Sequence, residues 1–459
     1  MNRGARRALG LFPDRGLASL LVLALAGGAD AGPAVDQEKR LQELERQLKT
    51  VTEANAEFVR RQAILTQEIR KVRDSMTLPE EKKLASQYGM GPAASKVYTK
   101  ERGLSIGGYG QTFYTAQVED KNPQTGVNTI DQLRFVIYNG YKFSDKIVLN
   151  SEIEYEHAAT GNGGSVSVEF AQIDFLLGTH FNVRAGLLLL PMGFINEIHE
   201  PNFYHGNERP EVERVIIPTT WRENGLGCFG NFSQGWSYRA YLVNSMRGAS
   251  FTSAGIRPGR QNGAQARADD FSVVLRTDYD TGKGFVGGAS VYRGHQGNEE
   301  SLTVDSKGRV VKPEIGMTLV EIHAQYRRKA LELRGLAAWT TVNDAYDLSL
   351  ARARASSNRG PVSERQHGYY LEVAYDILKL IKPKSDQYLA LFGRYEDMNT
   401  QARVPFGFAP DLTQDRELRT VGVSYKPHPQ LVIKLDHRDW SQARGSRADE
   451  LNLGMGWVF

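Results

Sequence analysis

The sequence predicts an all-β fold: a closed 16-stranded antiparallel transmembrane β-barrel with an N-terminal α-helical coiled coil. Three observations carry that prediction. Apolar and polar residues alternate with a period of two through sixteen segments from about residue 104 to the C-terminus. The links between those segments are by turns very short and mostly much longer. Upstream, an apolar heptad seam marks a separate helical element. Composition bounds the alternatives. With 459 residues, 41% of them hydrophobic, and a single cysteine, the chain is neither disordered nor a disulfide scaffold. Beyond position 30 no uncharged apolar run reaches the roughly 18 residues of a membrane-spanning helix. The net charge of +4 comes from 57 basic and 53 acidic residues spread along the chain, with no basic stripe for nucleic acid.

In chain order, Arg3, Arg6, Arg7 and Arg15 precede the apolar stretch from Leu17 to Ala26, and Ala29-Asp30-Ala31 follows as a small-residue cleavage site. Residues 1–31 therefore read as a signal peptide, with the mature chain starting at Gly32. Leu41, Leu44, Leu48, Val51, Asn55, Phe58, Gln62, Leu65, Ile69, Val72 and Met76 are spaced alternately by three and four. Residues 32–79 thus read as a periplasmic coiled-coil helix, ended by Pro79. Residues 80–103, with Gly89, Gly91 and Pro92, read as a linker, and 104–459 as the barrel.

The strands are expected near 104–116, 130–143, 146–157, 166–178, 181–190, 226–232, 235–244, 270–279, 284–293, 315–326, 330–342, 367–377, 387–398, 416–427, 430–441 and 449–459. An even count leaves both ends on one side of the membrane. Val183, Ala185, Leu187 and Leu189 alternate with Asn182, Arg184 and Gly186, as Leu431, Ile433 and Leu435 do with Lys434 and Asp436. A closed sheet of this size has a lumen too wide for wall side chains to fill, so the apolar face is expected to meet lipid. Aromatics gather beside the short turns, among them Phe143, Phe181, Phe232, Trp236, Tyr279 and Phe285, as in an interfacial girdle. The terminal strand presents Leu451, Leu453, Met455, Trp457 and Phe459 on one face, and Trp457 and Phe459 read as a membrane-insertion signal.

Residues 191–225 form the longest connection and mix Val215-Ile216-Ile217 and Trp221 with many charges. So apolar a loop is better buried than exposed, and it is expected to fold into the barrel as a constriction. Arg209, Arg214, Arg222, Glu208 and Glu211 are its candidate solute-binding residues. By alternation Arg134, Arg184, Arg239, Arg276, Arg334, Lys434 and Arg438 face the lumen, interspersed with Glu152, Glu154, Asp174, Glu332, Glu372 and Asp436.

The strings Leu190-Pro-Met-Gly-Phe-Ile-Asn-Glu-Ile-His-Glu-Pro201 and Glu208-Arg-Pro-Glu-Val-Glu-Arg-Val-Ile-Ile-Pro-Thr-Thr-Trp-Arg-Glu-Asn-Gly225 resemble the phosphate-selective porin O and P family. The resemblance covers roughly 104–459. It implies passive diffusion across the outer membrane of a Gram-negative bacterium, a trimer, and anion selectivity set by arginine ladders and constriction lysines. This loop departs from that pattern: it has no lysine, and it carries Glu197, Glu200, Glu208, Glu211, Glu213 and Glu223.

The expectation is a non-enzymatic outer-membrane porin for small hydrophilic solutes, anions such as phosphate included. It is embedded in outer-membrane lipid as a homotrimer and has no cofactor, metal site or catalytic residues. A sugar or organic-solute channel is the alternative, favoured by the 20 Tyr and 19 Phe. A second is a structural tether, in which the coiled coil contacts a periplasmic partner or the cell wall. His199 and His205 are six apart with Pro201 between them, which is not zinc-protease spacing. Gly225-Leu-Gly-Cys-Phe-Gly230 lacks the strand-to-helix context of a dinucleotide site.

Overall fold

A computed structural model describes residues 34–76, 85–120, 127–161, 163–304, 310–356 and 359–459. The expected signal peptide lies outside the described residues. The chain divides into two compact units, Met1–Lys82 and Lys83–Phe459.

In the first unit, α1 (Ala34–Met76) is a single helix of 43 residues. Intrahelical pairs such as Arg61 with Glu57, 3.0 Å apart at i,i+4, support it. The heptad residues Leu41, Leu44, Leu48, Val51, Phe58 and Leu65 are all exposed, so the apolar seam has no partner among the described residues.

The second unit is a closed barrel whose wall strands are all antiparallel and follow chain order. They are β1 (Gly103–Gln117), β2 (Thr129–Ser144), β3 (Ile147–Gly161), β4 (Gly164–Phe175), β5 (Asn182–Leu189), β6 (Arg222–Ser233), β7 (Trp236–Asn244) and β8 (Phe271–Asp280). β9 (Phe285–His295), β10 (Gly316–Arg328), β11 (Leu331–Val342), β12 (Arg365–Asp376), β13 (Tyr388–Arg403), β14 (Asp415–His428), β15 (Leu431–Gln442) and β16 (Glu450–Val458) complete it. A small hairpin, Thr303–Val304 with Val310–Val311, decorates the loop after β9.

Closure pairs β1 with β16, from Tyr109↔Val458 to Gln117↔Glu450. Phe459 extends it: its N–H donates to Gly108 O at 2.8 Å, and its carbonyl accepts from Gly108 N at 2.9 Å. Glycines make room at this seam, since a Cβ on Gly110 would lie 2.3 Å from the Trp457 indole.

Along β12 exposure alternates residue by residue, with Tyr369, Leu371, Val373 and Tyr375 outside and Tyr370, Glu372, Ala374 and Asp376 inside. The outer face is mainly apolar, with outward charges such as Arg419 and Asp439 paired at 3.7 Å. Phe232 stacks on Trp236, and Trp236 meets Tyr279 at 4.8 Å, beside the short turns.

Three connections differ from expectation. β6 begins at Arg222, so the inserted loop ends at Trp221. β3 and β4 run on to Gly161 and Gly164, so the link between them is far shorter than the others at the end of the barrel that carries long loops. Residues 85–100, expected to belong to a linker, are folded against the inner wall. Met90, Ala93, Ala94, Val97 and Tyr98 are buried with Tyr109, Val136, Tyr138, Val148 and Phe170. The glycines that suggested a linker serve close approach instead: a Cβ on Gly91 would lie 2.6 Å from Glu200 Oε1.

The lumen is wide, and it is filled by chain. Met192, Val212, Ile216, Ile217 and Trp221 of the loop after β5 share one apolar core with Met246, Phe251 and Ile256 of the loop after β7. Inward residues of the wall, among them Tyr241, Tyr292, Leu319, Leu336, Tyr370 and Leu418, complete that core. Burial of each such side chain is worth roughly 1.5–3 kcal/mol, which is why these loops fold inward instead of waving in water.

Candidate functional site

The loop between β5 and β6 is shaped by its own side chains. Asn196 closes its neck: Nδ2 donates to Leu190 O at 2.7 Å and Trp221 O at 2.8 Å, while Oδ1 accepts from Trp221 N at 2.6 Å. Glu213, on the short helix α2 (Glu211–Val215), accepts from Phe194 N and Ile195 N at 2.9 and 2.7 Å. Its other oxygen accepts from Tyr370 OH at 2.7 Å. Burial pushes this carboxyl up, and those donors oppose the shift.

The candidate constriction residues do not form one ring. Arg209 is buried, with Nε and Nη2 unpartnered. Arg214 grips Glu211, its Nε 2.7 Å from Oε2. Arg222 stands on β6, 3.0 Å from Glu169 Oε1. Glu208 is half-buried beside Arg209. Burial alone would raise the Glu211 carboxyl, but Arg214, Arg438 and Arg416 hold it down, to about 2.

All seven residues expected in the lumen occupy inward positions, and six are held by carboxylates. Arg134 lies 3.7 Å from Glu154, Arg184 2.7 Å from Asp174 and Arg239 3.0 Å from Glu197. Arg276 lies 2.8 Å from Asp278, Arg334 3.3 Å from Glu332 and Arg438 2.6 Å from Glu450. Lys434 donates to Gly206 O at 2.7 Å and sits over the Tyr204 ring. Such pairing satisfies buried charge that would otherwise be costly.

Two arginines of the loop after β7 escaped sequence reasoning. Arg257 donates to the carbonyls of Arg214 and Thr219, and Arg260 to those of Pro218 and Thr220. Burial and neighbouring guanidiniums push both pKa values down. Among the described residues, Arg209, Arg257 and Arg260 have no carboxylate within ion-pair distance. The only sequence signal was the Arg-Pro-Gly-Arg string at 257–260, which does not reveal its partner loop.

At the end bearing the short turns, a cavity of about 620 Å³ opens between Tyr88, Gly89, Asn182, Phe229 and Arg239. It ends against Arg239 and the segment at 87–89.

This architecture defines the class: a porin-type sixteen-stranded barrel with an inserted loop. No family model matches the chain. Salmonella typhi OmpF in complex with daunomycin aligns over 78% of this chain and 98% of its own, with a TM-score of 0.51 at 12% identity, which shows a shared fold. The loop L8 deletion mutant of Vibrio cholerae OmpT aligns over 78% of this chain and 100% of its own, at 10% identity and a TM-score of 0.49. An uncharacterized protein of Aquifex aeolicus (strain VF5) is 35% identical over 401 residues, 85% of this chain and 87% of that protein. The chain belongs to the same family as that protein.

Proposed function

We propose that the chain is an outer-membrane channel for small hydrophilic solutes, with a preference for anions. The observation that supports this most is the inserted loop and the arginines collected around it. Arg209, Arg257 and Arg260 add positive charge with no carboxylate within ion-pair distance among the described residues, next to Arg214 and Arg222, which pair with Glu211 and Glu169. Charge in a narrow, low-dielectric passage acts with little screening, so guanidiniums outside any salt bridge attract anions. Phosphate is the finer reading, carried by the resemblance of 190–225 to phosphate-selective porins O and P.

Transport on this reading is passive and non-enzymatic. The packed lumen argues for a small conductance, because most of its charged groups are nearly inaccessible to water. Export by residues 1–31, self-association of α1 and trimer formation complete the proposal.

The test is the reversal potential of the refolded chain in a planar bilayer under a potassium chloride gradient, followed by phosphate titration. Anion-selective current blocked by phosphate is expected. Replacing Arg209, Arg214 and Arg222 with Ala should lower anion relative to cation permeability, and an unchanged ratio removes them from the mechanism. Current indifferent to phosphate would favour sugars or other organic solutes. The filled lumen also favours a second reading, a structural envelope protein tethered through α1, which complete absence of current would promote.

A further inference from the structure

Three groups far apart in sequence meet inside the barrel: Glu152 on β3, Glu169 on β4 and His199 on the inserted loop. Each is 1% exposed or less. One ligand atom from each lies within 4.8 Å of the others. His199 Nε2 is 3.2 Å from Glu152 Oε1 and 3.3 Å from Glu169 Oε2. Ligand atoms bound at ~2.0–2.1 Å around a tetrahedral zinc ion lie about 3.3 Å apart, so these spacings match tetrahedral edges.

The surrounding contacts point the same way. His199 Nδ1 faces Asn196 O at 3.2 Å, the outer hydrogen bond that commonly orients a ligating imidazole with Nε2 inward. Arg222 and Thr220 occupy only Oε1 of Glu169, at 3.0 and 2.8 Å. Tyr109 donates to Oε1 of Glu152 at 3.3 Å. Glu169 Oε2 and Glu152 Oε2 are left buried without a hydrogen-bond partner. A proton on Nε2 serves one of the two carboxylates well and leaves the other unmet, whereas a cation bonds all three groups together.

We propose that Glu152, Glu169 and His199 bind a divalent cation of the zinc type, which staples the inserted loop to β3 and β4. Arg134, Arg209 and Arg222 surround the trio, and their positive charge favours a site completed by an anionic or neutral fourth ligand. The site is closed, so the ion enters during folding.

The full chain is refolded with Zn²⁺ or with chelator, desalted, and assayed for metal content and thermal unfolding. Retention of about one zinc per chain and a higher unfolding temperature than the chelated sample are expected. Refolding with Co²⁺ should give the visible absorption of a four-coordinate ion. His199→Gln and Glu169→Gln should each cut retained zinc at least tenfold while keeping the heat-modifiable gel mobility of a folded barrel. If a variant fails to fold, the wild-type zinc and chelator samples decide alone. No retained metal and no change in unfolding would overturn the proposal and leave a protonated His199 bridging the two carboxylates.

Discussion

Asn196 reinforces the neck of a loop of about thirty residues, where Leu190 N already donates to Trp221 O at 3.1 Å, with each of its three hydrogen bonds directed at backbone. Asn196→Ala strands the Trp221 N–H in a buried site, at a cost of about 1–3 kcal/mol, while Leu190 O and Trp221 O keep Met192 N and Leu190 N as donors at 2.8 and 3.1 Å. Faster hydrogen exchange across 191–221, with unchanged protection in β9–β13, is the expected result. Glu211 provides a pH dependence. Its folded carboxyl lies below the ~4.3 of an unfolded glutamate, so its stabilisation is complete above that value and is lost as pH falls toward about 2. Trp221 fluorescence should therefore report loosening of the loop in that acid window, and Glu211→Gln should flatten the transition. Residue identities around the loop were partly readable. Arg209 and Arg214 stand out in any reading of 191–225, while Arg257, Arg260, Glu152 and Glu169 become neighbours only once separate loops and strands enter one lumen.

At the level of elements, period-two patterning locates the wall strands to within a few residues, because lipid outside and polar packing inside impose opposite demands on alternate positions. The segment at 85–100 shows where that reasoning stops. Its Gly-Met-Gly-Pro string looks like a flexible connection, yet Ala93 N donates to Glu200 Oε1 at 3.0 Å and Tyr98 OH to Asp174 Oδ2 at 2.6 Å. Nothing periodic announces a short plug whose partners all lie later in the chain. Deleting residues 85–100 should raise single-channel conductance in planar bilayers while the barrel still assembles, and unchanged conductance would place the passage elsewhere. The seam of α1 is the complementary case: the heptads are plain in the sequence, and six of their apolar residues lie exposed. Deleting 36–79 should abolish oligomers in mild detergent and spare conductance.

For the whole molecule, the amino-acid sequence by itself determined the barrel, its sixteen strands, the apolar outer face, the helix ahead of it and the inward turn of the loop after β5. Each is a periodic or compositional property that the chain must obey wherever its segments meet lipid, water or one another. Only the tertiary structure decided what fills the lumen, that Arg222 belongs to the wall, and that His199 meets Glu152 and Glu169. Those outcomes depend on closure. Once β1 pairs with β16, residues hundreds of positions apart face the same enclosed space, and burial there selects partners by charge and shape, which no local pattern encodes.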